Sequence, residues 1–341
     1  QLVDRFRKRF GLNVFEYHSN CSINEKINIW KRSLETTTPS VFIGTRSAIF
    51  LPLSNLGLIV LDEEHDSSYK QESPMPCYHA RDLAIDRARR IGAKVILGTA
   101  TPSLNVWKNI KPNGNIVVAK LNRRISDRKL PTVSVVDMRE ELAIGNRSLI
   151  SRYLKKQLMD IKKSGNQAII LVPRRGYSSF LSCRSCGEVV QCPYCDVALT
   201  VHRSKEGHQW LRCHWCDFRS KINDKCGECG SNAFKPFGTG TQRVMDHLER
   251  ELEGISLLRF DRDTTRGRDG HRLLLEKFAD GEADILVGTQ MLSKGMDLPK
   301  VTLAVVLAAD GLLHRPDLMA TEETLQLFMQ LAGRAGRGDQ S

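Results

Sequence analysis

The sequence predicts an α/β protein of two parallel-sheet lobes with a small cysteine-rich insert in the second, and three observations carry the prediction. Short apolar runs alternate with helix-patterned segments along most of the 341 residues, one strand-and-turn pattern occurs near each end, and eight of the ten cysteines crowd into residues 183–229. A hydrophobic content of 41% is ample for two cores, and 341 residues exceed one ordinary domain. The formal charge of +12 and pI near 9.3 favour a polyanionic partner, most simply nucleic acid. No apolar stretch approaches the roughly 20 residues that a membrane span needs. The first thirty residues are basic and interrupted by polar groups, unlike a secretion signal, so a cytoplasmic protein with no membrane partner is expected.

In residues 1–122, Val41-Phe42-Ile43, Leu58 to Leu61 and Val95-Ile96-Leu97 read as strands separated by helical stretches such as Tyr78 to Ile91. That alternation implies parallel strands covered on both faces. The basic stretch Arg123 to Lys129, followed by Pro131, reads as an interlobe linker entering a second sheet through Val133 to Val136. A helix from Leu149 to Lys163 and a strand from Ala168 to Val172, ending at Pro173-Arg174-Arg175-Gly176, then restart the pattern. The predicted division is 1–122 for the first lobe, 123–182 with 236–341 for the second, and 183–235 for the insert.

The two lobes echo one another. Val41-Phe42-Ile43-Gly44-Thr45-Arg46, followed by Pro52 and a strand ending at Asp62, parallels Ile285-Leu286-Val287-Gly288-Thr289-Gln290, followed by Pro299 and a strand running from Val301 to Asp310. In both, a strand opens into Gly-Thr and the next strand ends at an aspartate, as expected of two lobes on one plan.

The apolar run Leu56 to Leu61 delivers Asp62-Glu63-Glu64-His65, and Val95-Ile96-Leu97 delivers Gly98-Thr99-Ala100-Thr101-Pro102. Consecutive carboxylates at the C-terminal end of a buried strand suit ATP hydrolysis, the first holding Mg²⁺ and the second orienting the attacking water. Alone, the acidic cluster reads equally well as a cap for a following helix; the neighbouring G-T-A-T-P tips the balance to chemistry.

Within the insert lie four Cys-x-x-Cys knuckles, Cys183/Cys186, Cys192/Cys195, Cys213/Cys216 and Cys226/Cys229. Eight thiolates complete two tetrahedral sites with none left over, so two Zn²⁺ are expected. Cys21 and Cys77 read as free thiols, in keeping with a reducing compartment. Adjacent, crossed and nested pairings of the knuckles are all open. Nesting is favoured, because Asp196 to Arg212 reads as a hairpin turning at Lys205-Glu206-Gly207, which brings Cys192/Cys195 to Cys213/Cys216. His202, His208 and His214 are then spare.

Toward the C-terminus, Gln330-Leu331-Ala332-Gly333-Arg334-Ala335-Gly336-Arg337 sets Gln, Gly-Arg and Arg at the spacing Q-x-x-G-R-x-x-R. Arg334 and Arg337 share a helical face, which suits a γ-phosphate whose charge redistributes as it leaves. Thr45 and Arg46, and Thr289 in its Gly-Thr-Gln, stand where helices begin and are candidates for backbone phosphates of a nucleic-acid strand, with Arg174, Arg175 and Lys294 adding charge. Tyr69 and Tyr78 are candidates for stacking on bases.

These residues together resemble the PriA family of primosomal replication-restart helicases, of superfamily 2. The resemblance rests on D-E-E-H-D-S-S-Y-K-Q at 62–71, Y-H-A-R-D at 78–82, G-T-A-T-P-S at 98–103, the four knuckles, G-T-Q-M-L-S-K-G at 288–295 and Q-L-A-G-R-A-G-R at 330–337. It implies two RecA-like lobes, a nested pair of zinc sites, and an ATP-driven 3′→5′ DNA helicase. Such an enzyme binds single-stranded and forked DNA at stalled or D-loop forks and starts primosome assembly with other primosome proteins, the replicative helicase and its loader. It further implies that Asp62 and Glu63 are the Mg²⁺ and water carboxylates, that Thr99 and Thr101 couple hydrolysis to lobe movement, and that Gln330, Arg334 and Arg337 sense phosphate. Two departures stand out: there is no G-x-x-x-x-G-K-[ST], and basic residues of the family are missing near Met319 and Glu323. The phosphate loop is expected upstream of Gln1, so this chain alone is expected to be inactive. The rival expectation is a fork-binding restart scaffold that has lost ATP turnover.

Overall fold

The computed structural model describes the chain apart from residues 1, 112, 113, 115, 123–130, 174–179, 205, 233, 237–240, 262, 263, 266–269, 294–297, 316, 334 and 336–341. It divides into two compact units, Gln1–Val118 and Ala119–Ser341.

The first unit runs α1 (Leu2–Phe10), β1 (Val14–Tyr17), α2 (Ile23–Glu35), β2 (Val41–Gly44), β3 (Leu58–Asp62), β4 (Lys70–Gln71), β5 (Tyr78–His79), α3 (Ala80–Ile91), β6 (Lys94–Gly98) and α4 (Leu104–Trp107). The strands expected at Val41, Leu58 and Val95 are all present, and β1 pairs with β2, and β3 with β6, in parallel. Helix α2 begins in a capping box, in which Ser22 accepts from Glu25 N and Glu25 returns the bond to Ser22 N, satisfying two otherwise unpaired donors. Helix α3 stops at Gly92, whose φ of 73° suits the left-handed C-terminal cap. It buries Ala80, Ala84 and Ala88, one residue per turn along a narrow stripe. The expected continuous sheet, covered on both faces, is not what the described residues form. They hold two separate parallel pairs, and Leu58, Val60 and Ile96 remain 49%, 59% and 52% exposed, because none of the described residues of the unit covers that face of β3 and β6.

The second unit contains α5 (Met138–Ala143), α6 (Arg152–Ser164), β7 (Gln167–Leu171), β8 (Leu181–Cys183), β9 (Thr200–Arg203), β10 (Gln209–Arg212), β11 (Arg219–Ser220), β12 (Phe234–Pro236), α7 (Thr241–Glu251), β13 (Leu257–Phe260), α8 (Gly270–Asp280), β14 (Ile285–Gly288), β15 (Val301–Val306), α9 (Asp310–Leu313) and α10 (Ala320–Ala332). Four parallel strands form its sheet in the order β13-β14-β7-β15. Central β7 is buried at all five positions, as an apolar strand covered on both faces must be. One face packs Leu158 of α6 and Val244 and Leu248 of α7 against Ala168, Ile170 and Val287. The other packs Phe260, Phe278 and Leu292 against Ile169 and Leu286.

Two expectations in this unit are corrected. Residues 131–137 form no strand, and Val133 and Val135 are 77% and 92% exposed, since among the described residues no neighbouring strand receives their backbone bonds. The strand expected to reach Asp310 ends at Val306; Ala308 takes φ 55°, which breaks the extended backbone, and Asp310 opens α9. The basic stretch 123–129 lies outside the described residues.

The echo between the units extends to atomic detail. Gly44 lies opposite Tyr17 across the β1–β2 pair, and Gly288 opposite Phe260 across β13–β14. A Cβ on either glycine would collide with the carbonyl oxygen of that partner, and a 3₁₀ turn follows each, closed by Ala48 N to Thr45 O and Leu292 N to Thr289 O at 2.9 Å. Only glycine lets the chain turn so tightly against a parallel neighbour. Gly288→Ala is expected to destabilise the second unit by about 1–3 kcal/mol, read as a lower midpoint in chemical denaturation.

Candidate functional site

Parallel pairing sets Asp62 opposite Gly98, so D-E-E-H and G-T-A-T-P leave adjacent strands side by side. Asp62 is exposed, and its Oδ1 accepts from Glu63 N at 3.1 Å. Glu63 adopts φ 50°, a left-handed conformation that a glutamate rarely holds. Its Oε2 is buried without a hydrogen-bond partner and stands 3.6 Å from His65 Nδ1. The same His65 nitrogen is 2.8 Å from Thr99 Oγ1 and 3.3 Å from Thr101 Oγ1, and Thr101 N donates to Thr99 Oγ1 at 2.9 Å. One imidazole thus joins the carboxylate turn to both threonines. An exposed carboxylate beside a second one with an unshared oxygen suits an Mg²⁺–nucleotide and an attacking water.

Glu64 was not separated from this cluster by its sequence, yet it differs completely from its neighbours. It is fully buried and accepts from Ser103 N at 2.7 Å, Ser103 Oγ at 3.0 Å and Arg81 Nη1 at 3.0 Å. The signal available in sequence was Arg81 next to the buried alanine stripe of α3, where an unpaired cation is untenable.

Beside this turn, a 3₁₀ turn at residues 67–69 leads into the β4–β5 hairpin, which precedes α3. Tyr69 OH donates to Asp62 O at 2.8 Å; burial, and then the Asp62 charge, hold its phenol above the ordinary range. Arg46 donates to Lys70 O at 2.6 Å and lies over the Tyr78 ring, which packs edge-on against Phe50. Arg46, Tyr69 and Tyr78 are therefore committed to internal contacts, whereas Thr45 is exposed at the end of β2.

In the second unit Thr289 is buried beside Gly288, and Gln330 falls in the last turn of α10. Arg174, Arg175, Lys294, Arg334 and Arg337 lie outside the described residues. Near the position where the family's basic residues are missing, Glu323 pairs with the well-buried Arg315 at 2.7 Å, so an arginine from elsewhere in the chain reaches it. A network not anticipated from sequence centres on buried Asp261, which accepts from Thr241 Oγ1 at 2.8 Å and Arg259 Nε at 2.6 Å. Burial would raise its carboxyl, but the bonds from Thr241, Arg259 and Thr264 outweigh this and hold it below its ordinary range.

The insert is built by its cysteines. Cys183, Cys186, Cys226 and Cys229 converge in one cluster and Cys192, Cys195, Cys213 and Cys216 in another, with all sulfurs of each within 4.8 Å of one another. This is the nested pairing, and antiparallel β9–β10 is the hairpin that makes it. No disulfide forms among the ten cysteines. Four converging thiols fit tetrahedral zinc. Burial pushes the Cys183 thiol up, but backbone N–H groups of Cys186 and Ser185 outweigh it and bring it down to about 7; Cys213 behaves likewise under Cys216 and Trp215. The apolar core beneath is small, centred on Leu181, Leu199 and Leu211. Arg139, fastened to Asp137, donates to Cys186 O at 2.9 Å and ties the start of the second unit to the outer cluster. His202 and His214 face each other with Nε2 atoms 3.3 Å apart, and Trp210, Arg219, Ser220 and Lys221 line a shallow groove of about 420 Å³.

Strand-end carboxylates beside a threonine-bearing turn, a second parallel-sheet unit on the same Gly-Thr plan and a cysteine-rich insert with two four-sulfur clusters mark the chain as helicase-like. The helicase conserved C-terminal domain matches residues 235–339, and the PriA DNA helicase Cys-rich region domain matches residues 192–221. The chain is 48% identical over 344 aligned positions to the replication restart protein PriA of Synechocystis sp., covering 100% of this chain and 41% of that protein. It is 47% identical over 337 positions to that of Bacillus subtilis, covering 99% and 41%. Over this segment the chain belongs to the PriA family. Among solved structures, RecG bound to a three-way DNA junction covers 98% of this chain and 32% of that one at 17% identity, with a TM-score of 0.44. The chain spans 41% of the length of the two PriA relatives. Among the described residues, no helix is long and apolar enough to cross a membrane.

Zinc analysis of the purified chain should return about two ions per molecule. Cys192→Ser should leave about one and abolish hydrogen-exchange protection in β9 and β10; a single zinc in the unaltered chain would contradict the two-cluster arrangement.

Proposed function

We propose that this chain is part of the motor of an ATP-dependent 3′→5′ DNA helicase that recognises stalled or D-loop forks and initiates primosome assembly for replication restart. The observation that carries the reading is the strand-end turn in which Asp62, Glu63, His65, Thr99 and Thr101 are joined. Asp62 would hold Mg²⁺ of the bound nucleotide. Glu63, whose Oε2 has no hydrogen-bond partner, would accept the proton of the attacking water and orient it. His65 would pass a change at Glu63 to Thr99 and Thr101, the two residues proposed to couple hydrolysis to movement. Arg334 and Arg337 would supply the charge that meets the γ-phosphate, and Gln330 would bind the nucleotide beside them through its neutral amide.

Thr45, Arg46, Arg174, Thr289 and Lys294 are proposed contacts to a DNA backbone. For Arg46 the proposal requires exchange of its present bond to the Lys70 carbonyl for a phosphate. The zinc insert is proposed to meet the strand as well, since Trp210, Arg219 and Lys221 line one groove, an aromatic ring and two cations of the kind that suit a base and its phosphate. Partners proposed beyond single-stranded and forked DNA are other primosome proteins, the replicative helicase and its loader, in the cytoplasm.

In the full-length protein, DNA-stimulated ATP hydrolysis should fall by about 100-fold or more in Glu63→Gln with the fold intact. Turnover like that of the unaltered protein would remove Glu63 from the role of base. Cys192→Ser should impair strand unwinding more than ATP hydrolysis, and equal loss of both would argue against a separate role for the insert. A full-length protein that binds forks but hydrolyses no ATP would favour the scaffold instead.

A further inference from the structure

We infer that Glu64, Arg81 and Ser103 form a buried clamp whose task is to hold Glu63 in its left-handed conformation, making Glu64 and Arg81 positioning residues for hydrolysis. The inference rests on the ATPase reading above. Glu63 at φ 50° is disfavoured by about 1–2 kcal/mol, and such a conformation persists only where its surroundings over-determine it. Its own side chain adds little restraint, because Oε2 has no hydrogen-bond partner and only a 3.6 Å approach to His65 Nδ1. The restraint comes from the residues on either side.

On the N-terminal side, Asp62 is fixed in the β3–β6 ladder. On the C-terminal side, Glu64 N donates to Gly98 O at 3.1 Å, which bolts the backbone across to β6. The Glu64 carboxylate then carries the turn into the interior. One oxygen accepts from Ser103 N at 2.7 Å; the other accepts from Ser103 Oγ and Arg81 Nη1, each at 3.0 Å. Arg81 Nη1 also donates to Ser103 Oγ at 2.8 Å, closing a three-membered ring of bonds. Glu64 is 0% and Arg81 5% exposed, so neither end of this ion pair is free to leave for water.

Three chain segments meet in the clamp: the turn after β3, the first turn of α3 and the cap of α4, where Ser103 also accepts from Val106 N. Releasing Glu64 would let the Glu63 backbone relax toward an ordinary conformation and swing its carboxylate out of line. A misplacement of about 1 Å in a reacting group costs on the order of 100-fold in rate. Glu64 lies next to the carboxylates in sequence but is walled off from solvent, so it acts on them through the backbone and not on the nucleotide.

Two variants of the full-length protein test this. Glu64→Gln keeps the shape and loses the charge; Arg81→Lys keeps the charge and loses the forked geometry. Each is expected to lower kcat for DNA-stimulated ATP hydrolysis by on the order of 10- to 100-fold, with KM for ATP, DNA affinity and zinc content within about twofold of the unaltered protein. In a Glu63→Gln background, Glu64→Gln is expected to cause no further loss, because its effect passes through Glu63. A kcat within about twofold of normal in either folded variant overturns the inference. So does an undiminished further loss in the Glu63→Gln background, which would mean a structural role unconnected to Glu63. If Glu64→Gln fails to fold, Arg81→Lys, which preserves the buried ion pair, carries both measurements. Absence of ATP turnover in the unaltered full-length protein fells the ATPase reading and this inference together; normal turnover with unaffected variants fells this inference alone.

Discussion

Parallel strand pairing is the constraint on which the rest of this structure depends. When neighbouring strands run the same way, their C-terminal ends emerge on one edge, and the turns that follow are forced together whatever their separation in sequence. Thus Asp62 and Gly98, far apart along the chain, lie opposite one another, and the acidic turn meets the threonine turn without any long-range device. The same geometry in the second unit sets Gly288 opposite Phe260 and Leu171. It also explains the two collision-limited glycines. A chain that turns at the end of a parallel strand passes over its neighbour's last carbonyl, and Tyr17 and Phe260 occupy that place in the two units.

The insert answers to a different constraint. Its strands are two to four residues long, and its buried apolar side chains are too few to order it unaided. Metal coordination must supply the difference, and coordination is all-or-none at the level of a knuckle pair. Nesting follows from the chain path. The β9–β10 hairpin folds the inner knuckles together, which brings the ends of the segment close enough for β8 to pair with β12 and for the outer knuckles to meet. The metal therefore substitutes for a core, and the hairpin decides which cysteines share an ion.

Much of this was legible in the sequence because the signals are local or strictly spaced. Apolar runs found β2, β3, β6 and β7, and four identical knuckles around one hairpin found the nested clusters. What was missed depended on context. Strand β1 is four residues long with no strong alternation and is a strand only because β2 receives it. Val133 to Val136 has strand-forming composition and no partner, so propensity lost to the need for backbone bonds. Arg46 reads as an available cation, yet the Lys70 carbonyl and the Tyr78 ring claim it. The Asp261 network was invisible because its members come from β13, α7 and the turn after β13, which only the fold unites.

The carboxylate cluster shows why adjacency in sequence is a poor guide to shared function. Asp62, Glu63 and Glu64 are three consecutive acids, and a reading by composition treats them as one negative patch. The fold gives them three environments: exposed at a strand end, part-buried with one unshared oxygen, and fully buried against an arginine. That separation coincides with a change of backbone conformation at Glu63. An extended residue at Glu63 would carry Glu64 back toward the solvent face of the strand, since side chains alternate along β structure. The left-handed step instead turns Glu64 inward to Arg81 and Ser103 while leaving Glu63 at the strand end. Strain at one residue thus accompanies the difference between two neighbouring carboxylates, one left at the strand end with an unshared oxygen and one buried against Arg81 and Ser103.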